Sequence, residues 1–205
     1  RQEYEAFSKR FGRQAQLPAT DEGEWFLIYF DGVISNKTET RLSVYDGEVD
    51  TMVSVVMPHY APVNYQPRGL TLVGGQRQRS AMIENLEVRA RQDLDAQRAK
   101  LLAAATVRAV AKYKMVQEAQ SKGDFGGILM NIATVASEQA DVRSWNMLPS
   151  SVQVARITSK LNQPVSLAER AVTLPPQSEF APAGKAIVLA SSLIDQVYSW
   201  PSLPP

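Results

Sequence analysis

Apolar runs and alternating apolar and polar positions mark out a series of strands along the chain. Trp25 to Ile34 is aromatic and apolar throughout, and it breaks at Asp31-Gly32, so it predicts a buried strand ending in a bend or bulge. Residues 41–46 and 51–57 follow as further strands. Val53, Val55 and Met57 alternate with Ser54 and Val56, which buries at least one face. Residues 70–73 and 81–88 read as two strands around Gly74-Gly75, and residues 151–158 and 185–191 add two more. Between Pro58 and Arg68 three prolines fall in eleven residues, which predicts a loop.

The period changes near residue 90. From Gln92 to Lys122 the chain is rich in Ala, Gln, Lys and Arg. Leu94, Leu101, Ala105, Ala109, Tyr113 and Val116 recur three, four or seven apart and form one helical stripe. Asp93 and Asp95 suit the start of that helix and Gly123 its end. A second, shorter helix is expected from Asp124, carried by Phe125, Ile128, Leu129, Ile132 and Val135, packing antiparallel to the first. Strands, then a helical hairpin, then strands predict an α+β fold: a mostly antiparallel sheet with the hairpin on one face.

Three segments are expected. Residues 1–19 place Phe7 and Phe11 one helical step apart before Leu17-Pro18, the end of an upstream helical region. Residues 20–192 hold the α+β domain. Residues 193–205, closing on Trp200-Pro-Ser-Leu-Pro-Pro, form a proline-rich extended tail.

Composition narrows the chemistry. With 22 Lys+Arg against 21 Asp+Glu the net charge is +1, so no global field draws in nucleic acid. Cysteine is absent, which removes disulfides, thiol nucleophiles and thiolate metal sites. No apolar run is long enough to span a bilayer. The chain opens at Arg1 with no signal-like segment, so a targeting signal is expected upstream.

The one histidine, His59, has no Gly-x-Ser-x-Gly elbow to join and reads as a loop residue at a strand end. Gly184-Lys185-Ala186 lacks the first glycine and the Ser/Thr of a phosphate loop, and reads as a turn into the next strand. Gly74-Gly75 lacks the third glycine of a dinucleotide fingerprint, and Asp93-x-Asp95 lacks the glycine and glutamate of a calcium loop. Glu22, Glu24, Asp31, Glu48 and Asp50 cluster at strand ends, where solvated charges are the simpler reading than a glycosidase pair. No cofactor, no metal and no enzymatic activity are expected.

Two features point to binding. Tyr60 and Tyr65, set among Pro58, Pro62 and Pro67, offer rigid contact area at low entropy cost. Arg77, Arg79, Arg89, Arg91 and Arg98 form a basic stretch that could meet phosphate or anionic lipid. Glu84, Glu87, Asp93 and Asp95 are interleaved with it, which favours a salt-bridged face. Asp141, Arg143, Trp145 and Pro149, with Leu148, suggest a corner in which Asp141 caps a turn after the second helix, Arg143 pairs with it or with Glu138, Trp145 and Leu148 bury against the sheet, and Pro149 starts the next strand.

The run Ala140-Asp-Val-Arg-Ser-Trp-Asn-Met-Leu-Pro149, with Ser151 to Ile157, Gly23 to Gly32, Val53 to Pro58 and Arg108 to Tyr113, resembles an uncharacterised family of Gram-negative lipoproteins. Those proteins pair a helical, TPR-like N-terminal half with a mixed C-terminal domain, and this chain is similar to the latter over most of residues 20–192. The resemblance implies a lipid anchor and helical repeats upstream, and a periplasmic place, anchored at the outer membrane. It also implies a scaffold role toward other envelope proteins in a cell-wall synthesis, secretion or motility complex. It carries over no catalytic residues. The alternative reading is direct binding of peptidoglycan or anionic lipid.

Overall fold

The hydrophobic run after residue 20 is the centre of the molecule's largest sheet. The computed structural model describes residues 18–62, 66–121, 139–145, 147–181 and 184–202. In it β1 (Glu22–Asp31) pairs antiparallel with β7 (Ser151–Lys160) on one side and parallel with β10 (Lys185–Ser191) on the other. β11 (Ile194–Trp200) extends the sheet beyond β10, and β6 (Ala81–Asn85) lies beyond β7. A second sheet has the order β5-β4-β8-β9, from β4 (Thr71–Val73), β5 (Arg77–Arg79), β8 (Val165–Leu167) and β9 (Val172–Leu174). The third is a hairpin of β2 (Lys37–Asp46) and β3 (Thr51–Tyr60), ten residues paired with ten in one register. One long helix, α1 (Leu86–Ser121), a short one, α2 (Gln177–Phe180), and a 3-10 turn at Ala168–Arg170 complete the described elements. The class is α+β with mostly antiparallel pairing. Among the described residues no helix is long and apolar enough to cross a membrane.

The chain divides into two compact units rather than one domain. The first comprises residues 1–32, 66–84 and 151–205; the second comprises 33–65 and 85–150. In the first unit, burial alternates along β1 and β7, as a strand's period of two requires. Trp25, Leu27 and Tyr29 from β1 meet Ala155 and Ile157 from β7, Val188 from β10, and Leu72, Val165 and Leu167 from the second sheet. Trp25 is fully buried, donates its indole N–H to Ser159 Oγ at 3.0 Å, and packs with its ring tilted 57° to Phe180, 5.7 Å between ring centres. Glu24, also buried, is ion-paired to Arg156. Asp31 accepts from Tyr29 Oη at 3.1 Å and from the Arg68 amide at 2.6 Å, which fixes the bend that Gly32 then turns at φ +69°.

In the second unit the expected helical stripe closes the hairpin's apolar face. Val53, Val55 and Met57 of β3 pack with Ala105, Ala109 and Val110 of α1, flanked by Leu42, Val44, Leu101 and Leu102. Alanines let helix and hairpin backbones approach closely, while the larger residues come from the hairpin.

Several expectations change. The helix begins at Leu86, not Gln92: Asn85 Oδ1 accepts the Val88 amide at 2.9 Å, an N-cap that ends β6. Asp93 and Asp95 therefore sit beyond the first turn, whose acid is Glu87. β3 runs through Pro58 to Tyr60, because a proline is tolerated on a strand with only one neighbour. Residues 194–200 are not a free tail: they pair with β10, and Arg170 donates to the carbonyls of Ser191 and Ile194 to hold the hairpin between them. The helix at 1–19 and the second helix from Asp124 fall outside the described residues.

Candidate docking surface

The segment after residue 138 and the first turn of α1 carry the second unit's distinctive polar chemistry. Glu87 is buried and receives the Ser35 amide at 2.7 Å and two donors of Arg91, at 2.8 and 2.6 Å. The same guanidinium donates to the carbonyls of Tyr60 at 3.2 Å and Ala61 at 2.7 Å, and lies 5.4 Å over the Tyr60 ring. One arginine thus ties the start of the helix to the end of β3. Burial works to raise the Glu87 pKa, but the Ser35 amide and Arg91 outweigh it and hold the carboxyl below its ordinary 4.5. Burial, then the charge of Glu87, raises the Tyr60 phenol.

A depressed folded-state pKa contributes stability that is complete above the unfolded value and is lost as pH falls through the folded one. Stability should therefore be level above the ordinary carboxylate range and decline as pH drops below about 4.5. Urea titrations between pH 3 and pH 7 test this, and Glu87→Gln should remove part of the decline.

The signature segment is arranged differently from the buried corner its residues suggest. Arg143 and Asp141 form a two-pronged ion pair at 2.9 and 2.8 Å, and the Arg143 amide also donates to Asp141 at 3.1 Å. The Arg143 guanidinium holds the Asp141 carboxyl well below the usual carboxylate range. This pair lies at the surface. Lys37 Nζ donates to the Arg143 carbonyl at 3.3 Å, and the Ala140 amide donates to Glu39 at 2.8 Å, so β2 secures the segment from below. At its far end the Leu148 amide donates to the Trp145 carbonyl, and the Ile34 amide to the Leu148 carbonyl. Pro149 is half-buried ahead of Ser150, whose hydroxyl donates to the Val33 carbonyl at 2.5 Å.

Because polar groups do the anchoring, the apolar side chains are left outside. Trp145 is 80% exposed and Met147 91% exposed, with Val142 and Leu148 open beside them. The expected burial of Trp145 and Leu148 against the sheet is thus overturned. Met147 was not singled out by sequence; its place between a tryptophan and Leu148-Pro149 was the available signal.

The other candidate residues are dispersed. Tyr60 is half-buried under Arg91, and Tyr65 lies outside the described residues. Arg77 and Arg79 stand exposed on β5 in the first unit, whereas Arg89, Arg91 and Arg98 belong to α1 in the second. The basic stretch is therefore divided. Burial works to raise the Glu169 pKa, but the Thr71 hydroxyl and amide, each at 2.6 Å, with a smaller contribution from Arg79, hold it below its ordinary value. His59 sits within β3 opposite Thr38, 3.4 Å from its hydroxyl, rather than in a loop. Gly184 adopts φ +68° as it turns into β10, as its sequence context suggests. Glu24 and Asp31 are buried in the first unit, whereas Glu48 and Asp50 lie at the hairpin turn of the second.

Two clefts of about 410 and 400 Å³ share Met57, Pro58, Tyr60, Leu94 and Leu101 at the seam of helix and hairpin. The larger is rimmed by Lys37 and Arg108 and by Asp93 and Asp141, a mixed field that selects neither anion nor cation. Among the described residues no group of three His, Asp or Glu side chains could hold a metal. No family model, curated protein or solved structure matches the chain.

Proposed function

We propose that this chain is a non-enzymatic docking domain of a bacterial envelope lipoprotein, held in the periplasm at the outer membrane by an upstream lipid anchor. There it binds other envelope proteins as a scaffold in a multiprotein assembly. The observation that carries the binding part of this reading is the exposure of Trp145 and Met147 on a segment fixed at both ends. A tryptophan in water gains nothing for the fold, yet tryptophan dominates binding energy where a partner encloses it. The tethers at Lys37, Glu39 and Ile34 hold the backbone before contact, which lowers the ordering cost of association. The envelope placement draws on the lipoprotein resemblance of residues 20–192.

The test is crosslinking in intact cells on the full-length protein, with mass spectrometry of what co-purifies. One recurring partner is expected, and Trp145→Ala should weaken its complex about thirtyfold while thermal stability stays unchanged. If the partner is retained at full strength by Trp145→Ala, the docking surface is wrong. Recovery in the glycan or lipid fraction without a protein partner would replace scaffolding by direct envelope binding.

A further inference from the structure

The hairpin of the second unit is a two-stranded sheet, a form that is marginal without further partners. α1 covers one of its faces, but β2 still has a lateral edge with no strand beside it among the described residues. That edge is ten residues long, regular in register, and free of proline and glycine. It therefore lacks the bulge or proline that commonly blunts an open edge, although it carries charges. In the first unit β5 and β9 have three residues each and β6 has five, and β11 carries an irregular register against β10.

The first part of β2 is already engaged, since Lys37 reaches the Arg143 carbonyl and Glu39 receives the Ala140 amide. Among the described residues the stretch left open is Thr40–Asp46, and its midpoint is Ser43. We propose that this stretch pairs antiparallel with the same stretch of a second copy about a two-fold axis at Ser43, joining two hairpins into one four-stranded sheet.

The proposal rests on self-complementarity. About that axis Ser43 meets Ser43, Leu42 meets Val44, Arg41 meets Tyr45 and Thr40 meets Asp46 of the other copy. Leu42 and Val44 belong to the hairpin's apolar face, so that face continues across the junction with both helices on the same side. Arg41 and Tyr45 are exposed on the opposite face, where a guanidinium beside a phenol ring is a favourable cross-strand pair. No like charges stand opposite one another. Centring the axis on Arg41 instead would set Arg41 against its own copy, which disfavours that register. A two-fold contact of this kind closes on itself, so it gives dimers rather than fibres.

The absence of cysteine makes the geometry directly readable. Ser43 and Ser54 are paired across the hairpin and both exposed, but Ser43 lies on β2 at the proposed junction, whereas Ser54 lies on β3, one strand removed from it. On mild oxidation Ser43→Cys should crosslink as a dimer and Ser54→Cys should not. Sedimentation equilibrium of the unmodified 205-residue chain should show a concentration-dependent dimer. Tyr45→Lys, which sets a cation against Arg41 twice, should raise its dissociation constant about tenfold relative to Tyr45→Glu. Both variants lose the phenol's bond to Asp50, so their difference reads the contact with the other copy. A monomer at every soluble concentration would overturn the proposal, as would equal crosslinking from the two cysteines or no difference between the Tyr45 variants. Circular dichroism of each variant separates loss of pairing from loss of folding.

Discussion

Replacing Trp25 by alanine should cost the first unit about 3–5 kcal/mol, the largest single-residue loss expected in the molecule. The indole is fully enclosed where β1, β7 and the short helix α2 meet. Removing the ring takes away its apolar burial and leaves a void beside Phe180. It also leaves the buried Ser159 hydroxyl without its indole donor. Trp25→Phe should recover most of the packing but not the hydrogen bond, leaving a loss of about 1–2 kcal/mol. Denaturant unfolding followed by tryptophan-independent circular dichroism checks both values. A loss under about 1 kcal/mol for alanine would mean that the enclosure of β1 is wrong.

The second large effect belongs to Glu87. Glu87→Ala removes the acceptor of the Ser35 amide and the carboxylate partner of Arg91, whose guanidinium is itself largely covered. A partly buried arginine stripped of its counter-charge is costly, and the total should reach about 3 kcal/mol. Arg91→Met is the informative companion. It loses the ties to the Tyr60 and Ala61 carbonyls but keeps apolar bulk over the Tyr60 ring. If Glu87 and Arg91 act as one unit, the double variant should be less damaging than the sum of the single ones. Simple additivity would mean that the two residues do not cooperate in fixing the helix start.

Much of this architecture is legible in the sequence, and the reasons differ by element. β1, β7 and β10 stand out because their runs are long and alternate or are wholly apolar. The stripe through Leu101, Ala105 and Ala109 gives the helix and its buried face. The start of the helix is less legible: Met82, Ile83, Leu86 and Val88 read as one apolar strand, and only the Asn85 cap divides them. The short strands β8 and β9 lie in a polar stretch with too few residues to show a period. Arg91 resembles one basic residue among several until the fold surrounds it with Glu87, Tyr60 and Ala61. Trp145 shows the opposite failure. Its size and apolarity argue for burial, while the hydrogen bonds that leave it outside come from Lys37 and Glu39, about a hundred positions earlier in the chain.

The first unit is assembled from three separate lengths of chain, with the second unit threaded between them. The parallel neighbour β10 that completes the far side of its central strand comes some 160 positions after that strand. Until then a run as apolar as Trp25 to Phe30 has one edge and much of its surface unprotected. The second unit has no such wait, because its hairpin and helix follow closely in sequence and can close on one another first. The order of maturation is therefore set by connectivity: the inserted unit first, its host last. A chain cut short before residue 185 would carry a folded insert on an unfinished host, the species for which a holdase would have the highest affinity.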